Sequence, residues 1–234
     1  MRLLKVAVAA GIMVTAGASA IAQTADEVIQ KHIEAVGGTK KWDAVKTIKL
    51  TGSISQGGME INMTQTVAND KGMRTDIEAM GQKGYIIITP TQGWMYMPFA
   101  GQTKPEALPA DQLKASQDKL NFRNTQLVDQ SMIAKTVMQG TDTINKVPCY
   151  KIKVTGKDGN ESVCYFDSKD YYMVRTEVKV KIQDEERETY ITYSNFKKQP
   201  QGIVIPMTMG TEQGDVNFKT VEINKPVDEK IFTP

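Results

Sequence analysis

Only one histidine and two cysteines occur in the 234 residues, and that scarcity excludes more chemistry than any motif suggests. His32, Cys149 and Cys164 are too few and too scattered for a conventional zinc site or a Cys-His nucleophile. No G-x-S-x-G occurs, and the lone histidine falls in an N-terminal helical stretch, which leaves a Ser-His-Asp triad without a base. A lone histidine on a helix is ordinarily a packing or surface residue. No glycine-rich loop follows a strand and opens a helix, so no phosphate cradle is present. These absences lead us to expect no catalytic residue, no metal and no cofactor.

Long apolar runs are missing too, apart from the first residues. Arg2 and Lys5 form a basic head, Val6 to Ala16 an apolar stretch, and Ala18-Ser19-Ala20 and Ala20-Ile21-Ala22 two small-residue cleavage sites, of which we favour the second. Residues 1–22 read as a secretory signal, too short in its apolar part for a mature membrane helix. The expected mature chain is 23–234, a single domain in the periplasm. With no cysteine near the cut, no lipid anchor is expected. The 29 basic and 27 acidic residues become 27 of each once Arg2 and Lys5 are removed. The surplus of positive charge belongs to the leader and gives no argument for nucleic acid.

What remains is alternation. Thr24-Ala25-Asp26-Glu27 is a capping box, and the helix after it stops at Gly37-Gly38. From Lys46 the period changes to two. Ile48 and Leu50 share one parity, then Met59, Ile61, Met63 and Val67, then Met73, Thr75 and Ile77. Tyr85 to Ile88 and Trp94 to Phe99, separated by a turn with Pro90 and Gly93, form a hairpin apolar on both faces. Each face therefore needs a cover, and Ala100 to Phe122 is a candidate for one. Pro109 can open a helix running to Phe122, and a second helix is expected from Thr125 to Ala134. Both are weakly apolar, as suits a lid. Strands are then expected at roughly 135–144, 148–155, 161–167, 171–182, 187–196, 203–211 and 215–223, with Ile231 and Phe232 pinning the tail. Asp184-Glu185-Glu186 reads as a solvated turn.

A turn at Asp158-Gly159 would pair Lys153 with Cys164. Cys149 then lies roughly 13 Å further along at strand rise, beyond the roughly 7 Å that a disulfide spans. Free, buried thiols are expected. The chain after the leader also keeps 11 of its 13 methionines, several of them in strands. Thioethers mould to irregular apolar partners, and they also fill imperfect cores.

These features together resemble one family. A capped N-terminal helix leads into a long-stranded meander. Trp94-x-Tyr96-x-Pro98-Phe99-x-x-Gln102 follows, then Gly202-Ile203-x-Ile205-Pro206, and last Asn224-x-Pro226-Val227-Asp228 with Phe232. The chain after the leader resembles the LolA/LolB-like superfamily of periplasmic lipoprotein carriers. The resemblance implies a mainly β fold: a curved, unclosed antiparallel half-barrel of about 11 strands, with an N-terminal helix and lid helices on the concave face. It implies carriage of lipoprotein acyl chains or another lipid, exchanged with envelope donor and acceptor proteins by a monomer. The residues expected at the cavity are Met59, Ile61, Met63, Met73, Ile87, Trp94, Tyr96, Phe99, Leu113, Leu120 and Phe122. Family carriers also close the lid with a strand arginine followed by proline. Here the turn reads Asn69-Asp70-Lys71-Gly72, and Arg74, on the polar parity, is the nearest substitute. The rival readings are a non-catalytic envelope scaffold with a filled cavity and a hydrolase using carboxylates on separate strands.

Overall fold

The computed structural model describes residues 23–56, 59–182, 185–212 and 214–234. The expected leader, the Gly57-Gly58 turn and Asp184 lie outside the described residues. Helix α1 (Ala25–Ala35) begins at the expected capping box: Glu27 N donates to Thr24 Oγ1 at 3.2 Å, and Thr24 N to Glu27 Oε2 at 2.9 Å. It ends where Gly37 passes close to the chain at Gly202. A Cβ there would sit 2.7 Å from the Gly202 carbonyl oxygen. Helix α2 (Thr39–Asp43) follows and buries Trp42, whose Nε1 donates to Val36 O at 3.0 Å.

Among the described residues, thirteen strands then form one antiparallel sheet that does not close. The first six are β1 (Thr47–Gln56), β2 (Met59–Ala68), β3 (Gly72–Ala79), β4 (Gln82–Ile88), β5 (Gly93–Tyr96) and the two-residue β6 (Glu106–Ala107). They meander outward to one edge. The chain then crosses to the opposite edge and meanders back through β7 (Ile133–Ile144), β8 (Val147–Gly156), β9 (Glu161–Asp167) and β10 (Met173–Ile182). It finishes with β11 (Glu185–Lys198), β12 (Val204–Thr211) and β13 (Gly214–Ile223). The last strand pairs with the first, Ile48 opposite Ile223 and Leu50 opposite Val221. Gly52, at a bulge in β1, allows this: an added Cβ would lie 2.2 Å from Asn217 O.

The strand boundaries agree with the alternation to within two or three residues. Three details differ. Glu185 and Glu186 belong to β11, opposite Ile182 and Lys181, not to a turn. A bulge between Met173 and Arg175 brings Met173 opposite Phe166 and into the core, although strict alternation places it outside. The β8–β9 register is one residue off the expectation, with Ile152 opposite Cys164 and Cys149 opposite Asp167. Both cysteines are buried and free.

The crossing segment, 108–132, is the largest departure. In place of two helices it contains α3 (Ala110–Lys114), a 3-10 turn at Gln117–Leu120, α4 (Phe122–Thr125) and a second 3-10 turn at Gln130–Met132. Its apolar residues are too sparse to give a helix a continuous stripe. Leu127 also adopts a left-handed φ of 52°, and the Asp129 carboxylate accepts from Ser131 N, starting a new turn.

The apolar hairpin of β4 and β5 has its two covers. On the inner face, Leu120 packs with Val67, Met73 and Ile88. On the outer face the cover is the C-terminal tail: Phe232 packs with Ala68 and Ile87, with Tyr85, Trp94, Val227 and Ile231 around them. The tail is tied down by polar bonds. Asn224 accepts from Lys46 N at 2.7 Å and donates to Ala44 O at 2.9 Å. Asp228 caps the final turn (Glu229–Phe232), and Lys71 pairs with Glu229. Phe232 is 5% exposed, so Phe232→Ala is expected to cost about 3 kcal/mol, a fall of roughly 10 °C in Tm for a chain of this size. Thermal denaturation checks it; an unchanged Tm would mean that the tail does not cover β4.

Candidate functional site

Among the described residues, a hollow lies on each face of the sheet. The larger, about 700 Å³, is an open trough on the outer face beside the tail, lined largely by polar and charged side chains such as Lys49, Thr64, Arg74, Asp76 and Lys219. The smaller, about 190 Å³, is more enclosed and lies on the inner face beneath the crossing segment. Its floor comes from the inward parity of both meanders: Ile48 and Leu50 of β1, Val67 of β2, Met73 of β3, Tyr193 of β11, Met209 of β12 and Phe218 of β13. Trp42 closes one side, and Lys119, Phe122, Thr125 and Gln126 of the crossing segment form the roof. No carboxylate is among the described lining residues. Burial pushes the Tyr193 phenol up to about 12 and the Cys164 thiol up to about 11, so both are protonated at neutral pH and neither is an activated nucleophile. Among the described residues no cluster of His, Cys, Asp and Glu is arranged to hold a metal.

Polar bonds at its rim hold the roof in place. Asp70 N donates to Leu120 O at 3.0 Å, Asn121 Nδ2 to Asp70 Oδ1 at 3.0 Å, and Phe122 N to Asn69 Oδ1 at 3.3 Å. The Asn69-Asp70 turn is thus the hinge post of the roof. Arg123 donates from Nη2 to Asp129 at 2.7 Å, and its Nε lies 3.2 Å from Asp43 of α2. His32 is the third attachment. It is 1% exposed, its edge set against Phe166. Nδ1 lies 2.9 Å from Tyr171 O and Nε2 3.0 Å from Gln126 O. Both partners are acceptors, so the neutral ring satisfies one of them. Burial lowers the His32 pKa more than the two carbonyls raise it.

The sequence-derived cavity residues separate into groups. Met73 and Phe122 line the cavity. Leu120 and Leu113 belong to the adjoining cluster beneath the roof. Met63 packs against the main core, and Ile61 shares its inward parity. Phe99 lies over Gly84 at the far end of β4, away from the lining. Ile87, Trp94 and Tyr96 are corrected. They face outward, Ile87 and Trp94 under the C-terminal tail and Tyr96 against Tyr85, because alternation along β4 and β5 turns them from Ile86, Ile88 and Met95. The side chain of Met59 is not among those described. Arg74 is likewise corrected: its Nη1 donates to Ile231 O at 3.0 Å, its Nε to Asp76 at 2.7 Å, and its guanidinium lies over Tyr85. It holds the tail on the outer face, where its polar parity puts it. Leu50, Val67, Tyr193, Met209 and Phe218 line the cavity as well; the alternation gives Leu50 and Val67 an apolar parity, but nothing local marks the five as sharing one cavity.

The fold has known counterparts. A DUF1329-family protein from Desulfovibrio piger superposes with a TM-score of 0.57 at 15% identity, covering 90% of this chain and 98% of the other. A LolA superfamily protein from Nitrosomonas europaea gives 0.55 at 14% identity, covering 91% and 99%. A putative outer membrane lipoprotein-sorting protein domain from Vibrio parahaemolyticus gives 0.55 at 12% identity, covering 88% and 94%. The chain matches no family model, and no curated protein matches it. The chain thus has the fold seen in LolA-superfamily proteins, over most of its length. Among the described residues no helix is long and apolar enough to cross a membrane.

His32 is the only histidine, so stability between pH 7.5 and 5.5 reports on it. Its folded pKa lies below the ordinary 6.5, so the unfolded chain binds the proton first. The contribution is complete above pH 6.5 and is lost as pH falls toward the folded value. Denaturant midpoints are expected to drop across that window, and a His32→Leu variant is expected to show a flatter profile. Equal slopes in the two proteins would place the titration elsewhere.

Proposed function

We propose that this protein is a periplasmic, non-enzymatic carrier that holds an acyl chain in the inner-face cavity. The observation that supports this most directly is an enclosed hollow of about 190 Å³ walled by apolar side chains of both meanders and roofed by a short, weakly apolar segment. An apolar cavity of about 150 Å³ holds a benzene-sized guest, so this one takes on the order of six to eight carbons. At about 0.8 kcal/mol per buried methylene the gain is roughly 5 to 6 kcal/mol, an affinity near the upper end of the micromolar range. That is reversible binding, as carriage requires. The fold likeness to a lipoprotein-sorting domain agrees with the reading, and the leader-like residues 1–22 agree with the compartment. An acylated lipoprotein or another lipid is the cargo class, with envelope proteins as donors and acceptors and the monomer as the working form.

A second reading, an envelope scaffold acting through its outer surface, draws on the outer trough of about 700 Å³ with both signs of charge. Organic extraction of the purified protein followed by mass spectrometry separates the two. Co-purified lipid is expected; a clean protein that also fails to take up a medium-chain fatty acid would leave only the outer surface. Met209→Trp, which fills the cavity from a half-buried position, is expected to weaken acyl binding at least tenfold while Tm moves by only a few degrees. Undiminished binding in that variant would put the ligand somewhere else.

A further inference from the structure

Among the described residues that line the cavity, one side chain is charged, Lys119. It stands in the 3-10 turn Gln117–Leu120, whose backbone is fixed on both sides of it: Lys119 N donates to Ser116 O at 3.1 Å, and the next residue, Leu120, is 4% exposed and accepts from Asp70 N. The side chain itself is exposed, and no described acid pairs with its ammonium. Lysines 49, 71, 153, 179 and 219 each reach a carboxylate within 4.0 Å. Among the described residues, the roof thus presents an ammonium without an acidic partner at the border between apolar lining and water.

We infer that the cargo is a single-chain amphiphile with an anionic head, its tail in the inner-face cavity and its head on Lys119. The inference rests on the carrier reading and narrows it. The volume limits the tail: a hollow of about 190 Å³ accepts the end of one chain, well below the roughly 300 Å³ at which small-molecule pockets usually begin, and it cannot take the several chains of a lipoprotein anchor together. The lining limits the head. With no carboxylate among the described lining residues, a cationic head meets Lys119 without a described counter-charge. A neutral head gains nothing from Lys119 beyond an ordinary hydrogen bond. A carboxylate or phosphate monoester makes a charge-assisted bond to it. Gln65, Thr125 and Gln126, also in the lining, supply neutral donors and acceptors for the rest of a head group.

Isothermal titration calorimetry of the full protein with decanoate, 1-decanol, decyltrimethylammonium and a monoacyl phosphatidylglycerol tests this. Decanoate is expected to bind about tenfold more tightly than decanol, and the cation more weakly than either. Lys119→Gln is expected to erase the preference for decanoate over decanol, and Lys119→Glu to reverse it in favour of the cation, both with an unchanged Tm because the side chain is exposed. The monoacyl phospholipid distinguishes the two sources of an anionic head: binding tighter than decanoate names a phosphate head, and weaker binding names a free fatty acid. Equal binding of decanoate and decanol, or Lys119 variants that keep the wild-type preference, would overturn the inference and leave the carrier reading standing. Tight binding of a two-chain phosphatidylglycerol would overturn the single-chain limit. If no decyl compound binds the wild-type protein, both fall.

Discussion

The structure depends on the pairing of β1 with β13. Once Ile48 lies opposite Ile223, the two meanders become halves of one sheet, with their outermost strands, β6 and β7, at opposite edges. The chain between those edges must then cross a face. That topological necessity, more than any helical propensity, places residues 108–132 over the inner side. It also explains how a segment so poor in apolar residues stays in place. Its course is set by its two ends, and polar bonds at Asn69, Asp70 and His32, with the buried Leu120 and Val128, hold it down.

The two faces of the first meander are finished by different means. The inner face receives a roof that leaves space beneath it, and the outer face receives a tail that leaves none at Ile87, which is fully buried. The difference is chemical. Phe232 and Ile231 come with Asp228, Arg74 and Asn224 to fix the tail at several points. The roof brings two buried apolar anchors, Leu120 beside Val67, Met73 and Ile88 and Val128 in the main core, with α3 largely exposed. The tail closes its face at Ile87, whereas the roof, held at its rim and by these two residues, leaves an apolar hollow beneath it.

The fold was largely legible in the sequence because alternation is a local signal. The capping box, the glycine stop, most strand limits and the need for two covers on the 85–99 hairpin all follow from neighbouring residues. The site was less legible. Ile87, Trp94 and Tyr96 are large and apolar, but their parity sends them to the outer face, away from the cavity. Arg74 shows the same thing in reverse, since its polar parity already pointed outward. The bulge at Met173–Arg175 changes which side chains face in, and a bulge leaves no mark in a hydrophobic pattern. That Leu50, Met209 and Phe218 share a cavity depends on the β1–β13 pairing, which links residues far apart in the chain.

That pairing also sets the order in which the molecule can assemble. The strands of each meander are neighbours in sequence and can zip together locally, but the seam between the halves requires closing a loop of most of the chain, an entropic cost met before any seam contact repays it. Until then β1 is an exposed edge, and Ile87 waits for a tail still farther along. Gly52 weakens that edge as a template and Lys49 charges it, both features that discourage pairing with a stray strand. The residues that admit β13 at the seam thus also protect the half-built sheet while it waits.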